Sequence, residues 1–356
     1  MNQVSYWSAP KLVNDYFDKL TRKNSTILRN CKLVTHQDIC QFKSIILDNL
    51  RNLNSQAKKV HFKNIPFFLY CKSRKIKVYY AEKIYKSNLN FIYKITELLK
   101  ERNRVLKLSI NSKVMDNSLK KEYSFFKNLP LNFSKVYSSK NFKLWQFPNF
   151  ALEMPLVSGD YFGVEKDINK ISLQMKLKMF LAVVEDALLL HNNSRIIGDI
   201  KLENIFFSHQ NGKWEMFLAD LGGLWHWSSK NEHSHELPFT ITPLCMAKTD
   251  YLHCKLICKN GKIFDPQSVE FFKKLDVFLI GSALYSFLTN EYPFEITCIG
   301  DIELLDNEQE FLPHSIIDKL DAELKVLLQK SLALNPNSRP TMEEFATTFS
   351  KWCKSN

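Results

Sequence analysis

Along the first 57 residues apolar side chains recur at three- and four-residue spacing. Thr35-His36-Gln37-Asp38 resembles a capping box, and Ile39, Phe42, Ile46 and Leu50 then fall on one helical face. The spacing predicts a helical segment over 1–57. From Val60 to Ile84 the texture changes to short aromatic and β-branched runs, KVHFKNIPFFLYCKS and KIKVYYAEKIY, which predict a strand meander. Leu89 to Leu99 reads as a helix and Arg102 to Ser118 as a polar loop. Lys120 to Leu129 predicts another helix, and Phe133 to Glu153 two strands. Beyond Ile171 the pattern is mostly helical, with Leu173, Leu177, Phe180, Leu181, Val184, Leu188 and His191 on one stripe. A strand-rich region thus precedes a helix-rich one, with no internal repeat or low-complexity linker.

Composition narrows the class. Hydrophobic residues make up 45% and charged residues 24%, the balance of a chain that buries a core. Only 9 of 356 residues are glycine, so a glycine within a motif carries weight. The net charge is +12. That excess is spread along the chain, at Lys58-Lys59, Lys100 to Arg104 and Lys120-Lys121, and predicts solvated lysines rather than a nucleic-acid partner. No membrane span is expected: the most apolar stretch, Phe180 to Leu190, contains Glu185 and Asp186. The opening MNQVSYWSAPKL lacks the charged-then-apolar order of a secretory signal. The 8 cysteines form no CxxC pair, and Cys254 and Cys258 have no paired histidine motif, so reduced thiols in a cytoplasmic setting are expected rather than zinc.

The candidate chemistry lies in RIIGDIKLENIFF, Arg195 to Phe207, which sets Asp199, Lys201 and Asn204 at spacing D-x-K-x-x-N. Sixteen residues after Asn204, LADLGGLW places Asp220 behind a predicted strand and before two glycines. Phosphoryl transfer needs such a set: a carboxylate to orient or accept the proton of an attacking hydroxyl, a carboxylate plus an amide oxygen to hold Mg²⁺, and a lysine against the transferred phosphoryl.

With these motifs the sequence resembles the eukaryotic-type protein kinases over about residues 58–352. TPLCMAKT, Thr242 to Thr249, resembles the end of their activation loop. LDVFLIGSALYSFLTNEYPF, Leu275 to Phe294, is similar to the D-V-W-S-x-G helix, and LLQKSLALNPNSRPTMEEF, Leu327 to Phe345, to the closing segment carrying Arg339. The resemblance implies an α+β, bilobal protein kinase-like fold: a helical extension over 1–57, a small β-rich lobe over 58–154 with a helical insertion at about 88–118, and a large helical lobe over 155–356. It makes Asp199 the catalytic base, Lys201 its phosphate-facing partner, and Asn204 and Asp220 the metal ligands. Lys83 in YYAEKIY would hold the α- and β-phosphates, paired with a helix glutamate: Glu122, with Glu97 and Glu101 as rivals. Glu153 and Met154 would face adenine. ATP and Mg²⁺ are the implied cofactors and a protein Ser/Thr hydroxyl the implied acceptor; Thr242 stands where Ser/Thr kinases place a threonine bridging base and lysine.

The sequence departs from that pattern in four places. Val60 to Ser73 holds no glycine to cover the phosphates. The H-R-D triplet is Ile197-Gly198-Asp199, without the arginine that receives a phosphorylated activation loop. The A-P-E triplet is Ala247-Lys248-Thr249, so Arg339 is expected to lack its carboxylate partner. About fifteen extra residues lie between Asp250 and Lys274. These features leave open an inactive scaffold, and a small-molecule phosphotransferase shares the aspartate-asparagine loop. A secreted bacterial effector acting in a host cytosol also fits the divergence.

Overall fold

The computed structural model describes residues 67–72, 75–86, 90–97, 102–109, 113–133, 140–143, 150–227, 242, 245–260, 265–294 and 314–355, with a few isolated positions before 67. The helical segment expected over 1–57 lies almost entirely outside the described residues, as does the stretch 60–66. The chain divides into two compact units: residues 1–127 with 137–156, and residues 128–136 with 157–356. A short segment around Leu131 belongs to the second unit.

The first unit is an antiparallel sheet of six strands: β1 (Phe67–Lys72), β2 (Lys75–Lys86), β3 (Asn90–Glu97), β4 (Arg102–Ser109), β5 (Lys140–Lys143) and β6 (Phe150–Pro155), in spatial order β1-β2-β3-β4-β6-β5. Tyr79, Ala81, Ile95, Leu106, Leu108 and Ala151 form its core, with Phe91 and Tyr93 packed against them. Helix α1 (Lys113–Asn128) follows β4.

Two expectations are corrected here. Residues 90–97, read as a helix, form β3, and residues 102–109, read as a loop, form β4. Asn90–Glu97 is a short run whose apolar residues fit either period. Pairing on both edges, to β2 and to β4, decides for the strand, because its backbone is then hydrogen-bonded along both sides. Of the helical insertion expected at about 88–118, residues 90–97 and 102–109 are therefore strands, while its end from Lys113 is helical. Helix α1 also starts seven residues before the expected Lys120.

The second unit is mainly helical. Helix α2 (Tyr161–Ile168) is capped by Asp160, whose Oδ1 accepts from Gly163 N–H at 2.9 Å. Helix α3 (Leu173–Asn192) is capped by Ser172. Two small β ladders follow: β9 (Ile205–Gln210) pairs with β10 (Lys213–Leu218) and β7 (Gly159–Asp160), and β8 (Arg195–Ile196) with β11 (Trp225–His226). Asn211 and Gly212, with φ of 52° and 76°, make the two-residue turn that matches the twist of the β9–β10 hairpin.

Helices α4 (Lys248–Asn260), α5 (Pro266–Thr289), α6 (Ser315–Asp318), α7 (Ala322–Ser331) and α8 (Met342–Ser355) complete it. Helix α5 is apolar nearly all round, and almost every residue from Ser268 to Thr289 is buried, which makes it the central post. Rings of Tyr161, Phe180, Phe207 and Phe287 pack around it at centroid distances of 5.8–6.2 Å. Gly281 lets α7 come close, since a Cβ there would collide with Ser331 Oγ.

Candidate active site

Strand β8 ends at Ile196, and the chain then makes a buried turn toward β9. Its shape is held from inside α5. The Asp276 carboxylate accepts from the Ile197 N–H at 2.8 Å and the Gly198 N–H at 2.7 Å, and His191 Nε2 lies 2.9 Å from the same group. Asp276 is fully buried, so these bonds act without competing water. Gly198 has φ of 74°, a left-handed conformation that glycine adopts without strain. Asp276 went unsuggested as a site residue because its partners are 78 to 85 positions away in sequence.

Beyond the turn, four side chains converge. Lys201 Nζ lies 3.1 Å from Asp199 Oδ1 and 3.0 Å from Oδ2, and donates to Thr242 Oγ1 at 2.5 Å. The Thr242 hydroxyl in turn donates to Asp199 Oδ1. Asn204 Nδ2 donates to the Asp199 carbonyl at 2.8 Å and to its Oδ2 at 2.9 Å. Asp199 is thus fixed on three sides, by Lys201, Thr242 and Asn204.

Asn204 closes a short 3₁₀ turn, Leu202–Asn204, that leads into β9. Ile205 opens that strand opposite Leu218, and the Ala219 N–H donates to the Asn204 carbonyl at 2.9 Å. Asn204 and Asp220 therefore flank the same end of the hairpin. Asp220 is exposed and left-handed, with φ of 53° and ψ of 54°, a strained backbone for a non-glycine residue. An amide and a carboxylate at one strand end form a hard-oxygen pair of the kind Mg²⁺ takes.

The first unit holds a buried ion pair among its described side chains, and the side chain of Lys83 lies outside them. Glu122 on α1 pairs with Lys107 on β4, Nζ to Oε2 at 3.0 Å, and both are buried. Lys83 lies on β2 opposite Tyr93, at an irregularity of the ladder between Lys83 and Tyr85. The signal for Lys107 was Val105-Leu106-Lys107-Leu108, a lysine inside an apolar run. Glu153 and Met154 lie on β6, opposite Leu106 and Val105, and Glu153 Oε1 is 3.7 Å from Arg104 Nε. The rival Glu97 is buried on β3.

Arg339 does have a carboxylate. Its two terminal nitrogens bind Asp250 at 3.1 Å and 2.7 Å, with both side chains fully buried. Burial pushes the Asp250 carboxyl up, and the guanidinium opposes that shift. The expected loss of this partner is corrected: the carboxylate stands one residue after Thr249, on α4. That helix takes up much of the extra length between Asp250 and Lys274. Among the described residues no cluster of His, Cys, Asp and Glu is arranged to hold a metal by itself, and no helix is long and apolar enough to cross a membrane.

The protein kinase domain family matches residues 81–349. The serine/threonine-protein kinase PLK1 of Xenopus laevis is 28% identical over 155 residues, 44% of this chain and 22% of that protein. The protein of the same name from Xenopus tropicalis is 29% identical over 164 residues, 45% of this chain and 24% of its own length. The chain thus covers less than a quarter of either relative.

Proposed function

The chain belongs to the protein kinase domain family, and from that premise we propose that it transfers the γ-phosphoryl of ATP to serine or threonine hydroxyls of protein substrates. The observation that carries this reading is the fixing of Asp199 by Lys201, Thr242 and Asn204 at hydrogen-bond distance. An acceptor hydroxyl reaching Asp199 gives up its proton to the carboxylate as its oxygen bonds to the γ-phosphorus. The bond to the bridging oxygen breaks, and Lys201 offsets charge on the phosphoryl in transit. Asn204 and Asp220 supply amide and carboxylate oxygens for Mg²⁺, which when bound screens the phosphates.

Lys107, rather than Lys83, is the lysine we assign to the α- and β-phosphates. A buried lysine–glutamate pair contributes little net stability over an apolar pair of similar volume, so a role at phosphate is the better account of it. On that assignment the stretch of sequence between β2 and β3, residues 87–89, would be the one to cover the phosphates. Ser87-Asn88-Leu89 again has no glycine, and none precedes Gly159. Glu153 and Met154 on β6 are assigned to adenine. The Lys201–Thr242 bond supports Ser/Thr over Tyr acceptors.

A second reading, a scaffold with weak or no catalysis, is favoured by that absence of glycine, since side chains hold backbone away from phosphates. Labelled ATP, Mg²⁺ and generic protein substrates test the choice. Incorporation into serine or threonine, lost in Asp199→Asn, supports the kinase; no incorporation by the wild-type protein supports the scaffold.

A further inference from the structure

The extra length between Asp250 and Lys274 builds a surface of its own. A groove of about 710 Å³ lies between α4 and the first turns of α5. His253, Leu256, Ile257 and Asn260 form one wall, at the spacing of a single helix face, and Glu270 and Phe271 belong to the other. The walls meet where the His253 imidazole stacks on the Phe271 ring, with centroids 4.3 Å apart. Asn260 at the end of α4 is close in sequence to Asp265 at the start of α5, so the two walls run in opposite senses.

Beside this groove, on the same helix, stands a ridge. Leu252 is 44% exposed and Leu256 54%, and Lys259 is exposed one turn further on. Positions 252, 256 and 259 are neighbours on a helix surface, set to one side of the groove wall. Two leucines left open to water side by side mark a contact surface. Among the described residues Lys259 makes no ion pair. The groove carries the opposite sign. Its acids are Asp265 and Glu270, and the Glu270 side chain is 55% exposed, with Lys273 Nζ 3.6 Å away. Lys274, which also lines it, is committed to the Arg339 carbonyl at 2.7 Å.

We propose that the groove receives helix α4 of a second copy of this chain, in a two-fold symmetric pair. Ridge and groove lie side by side on one element, so each protomer gives its ridge and takes its partner's. Antiparallel α4 helices would set Leu252 and Leu256 of one protomer against the apolar groove residues of the other and remove them from water. The sense of the walls fixes the charges too. Within one protomer His253 marks the Phe271 end of the groove. Reversing the partner's helix carries its last turn to that end, where Lys259 meets Glu270, and by symmetry this pair forms twice. The repulsion between two chains of net charge +12 is screened beyond about 8 Å at physiological salt, which leaves the close contacts to decide. A foreign segment would have to supply two leucines and a lysine at this spacing, which α4 already carries. The inference stands apart from the phosphoryl-transfer reading.

Sedimentation equilibrium of the whole chain at physiological salt tests this. From about 1 to 100 μM it should show a monomer–dimer equilibrium with a micromolar dissociation constant. Leu252→Ser combined with Leu256→Ser should leave monomer throughout. Lys259→Glu and Glu270→Lys should each raise the dissociation constant by about tenfold or more, since each sets like charges face to face. Combined in one chain, the two exchanges restore opposite charges, and the constant should return to within about threefold of wild type. All four side chains are exposed, so the exchanges leave the core intact. A wild-type protein that stays monomeric over this range would overturn the proposal and leave the groove to a different partner. A dimer indifferent to these four residues would overturn it equally. So would single exchanges that weaken the dimer without rescuing one another, because the antiparallel pair requires that rescue.

Discussion

Arg339 grips Asp250 through two parallel bonds of 3.1 Å and 2.7 Å in a place no water reaches. The same guanidinium donates through Nε to the Ala333 carbonyl at 2.8 Å and lies 4.6 Å from the centre of the Phe278 ring. One side chain therefore ties α4, the segment before α8, and the central helix α5. Lys274 Nζ closes the arrangement on the Arg339 carbonyl at 2.7 Å. Removing the acid would leave a buried cation alone. Asp250→Ala is expected to cost about 3–5 kcal/mol, read as a lower midpoint in urea with an unchanged slope. Thr249→Ala, which loses one half-buried bond to the Leu334 carbonyl, should cost under about 1 kcal/mol. Equal losses in the two variants would show that the carboxylate is not what holds Arg339.

The contrast between Asp250 and Asp199 shows what a sequence can and cannot reveal. Asp199, Lys201 and Asn204 act within one short turn, so their spacing alone carries the geometry, and the structure brings them together with Thr242. Arg339 only needs a carboxylate within reach, and the first turn of α4 provides one at Asp250 as readily as at Thr249. A motif column misses that freedom. Lys107 was hidden differently: β3 and β4 are short segments whose period is ambiguous, and only pairing to β2 and β6 makes them strands. Asp276 was read as part of a helix motif, but its bonds to Ile197 and Gly198 depend on tertiary approach that no local pattern encodes.

Lys107→Arg tests the lysine assignment without deleting the charge that Glu122 needs. The bulkier planar fork cannot stand where a single ammonium does. Turnover should fall by a factor on the order of 10², with the far-ultraviolet circular dichroism of the wild-type protein. Lys83→Arg should stay within about threefold of wild type, a change below 1 kcal/mol. Reversal of this order would return the phosphate role to Lys83.

Asp276→Asn keeps the shape of the side chain and replaces one of its two acceptor oxygens by a donor. The Ile197 or Gly198 amide would then face an N–H, and the turn carrying Asp199 should loosen. Hydrogen exchange at these two amides is expected to speed up by one to two decades, since a bond to a charged acceptor contributes about 1.5–3 kcal/mol. Turnover should drop while ATP affinity holds. Unchanged exchange would mean that the turn is held by something other than Asp276.

Asp220→Ala and Asp199→Asn should separate metal binding from proton transfer. The first is expected to lose turnover together with the Mg²⁺-dependent part of nucleotide affinity, because Asn204 alone offers one neutral oxygen. The second should bind ATP normally and turn over more slowly by a factor on the order of 10² or more. Titration calorimetry with and without Mg²⁺ distinguishes them. Mg²⁺-dependent ATP binding intact in Asp220→Ala would refute its role as a ligand.

Activity is expected not to require phosphorylation between Gly223 and Ile241. The acceptors in that stretch, Ser228, Ser229, Ser234 and Thr240, lie outside the described residues, but its beginning is in view and is held without phosphate. Trp225 pairs with Ile196 and His226 with Arg195, which joins the segment to the strand before Asp199. The Trp225 ring is buried edge-on against Phe272 at 6.0 Å. Trp227 donates its N–H to the Ser194 carbonyl at 3.3 Å, while Lys273 Nζ lies 4.8 Å from the centre of its ring. A phosphate orders such a segment only where a cation receives it. The position before Asp199 is Gly198, which has no side chain, and Lys201 is bound to Asp199 and Thr242. Protein made in bacteria and stripped by phosphatase should therefore keep its rate to within about tenfold, or 1.4 kcal/mol. Trp227→Ala should lower that rate whether or not the protein has been treated. A larger loss on dephosphorylation, restored by autophosphorylation at any of the four acceptors, would show that phosphate and not tryptophan orders the segment.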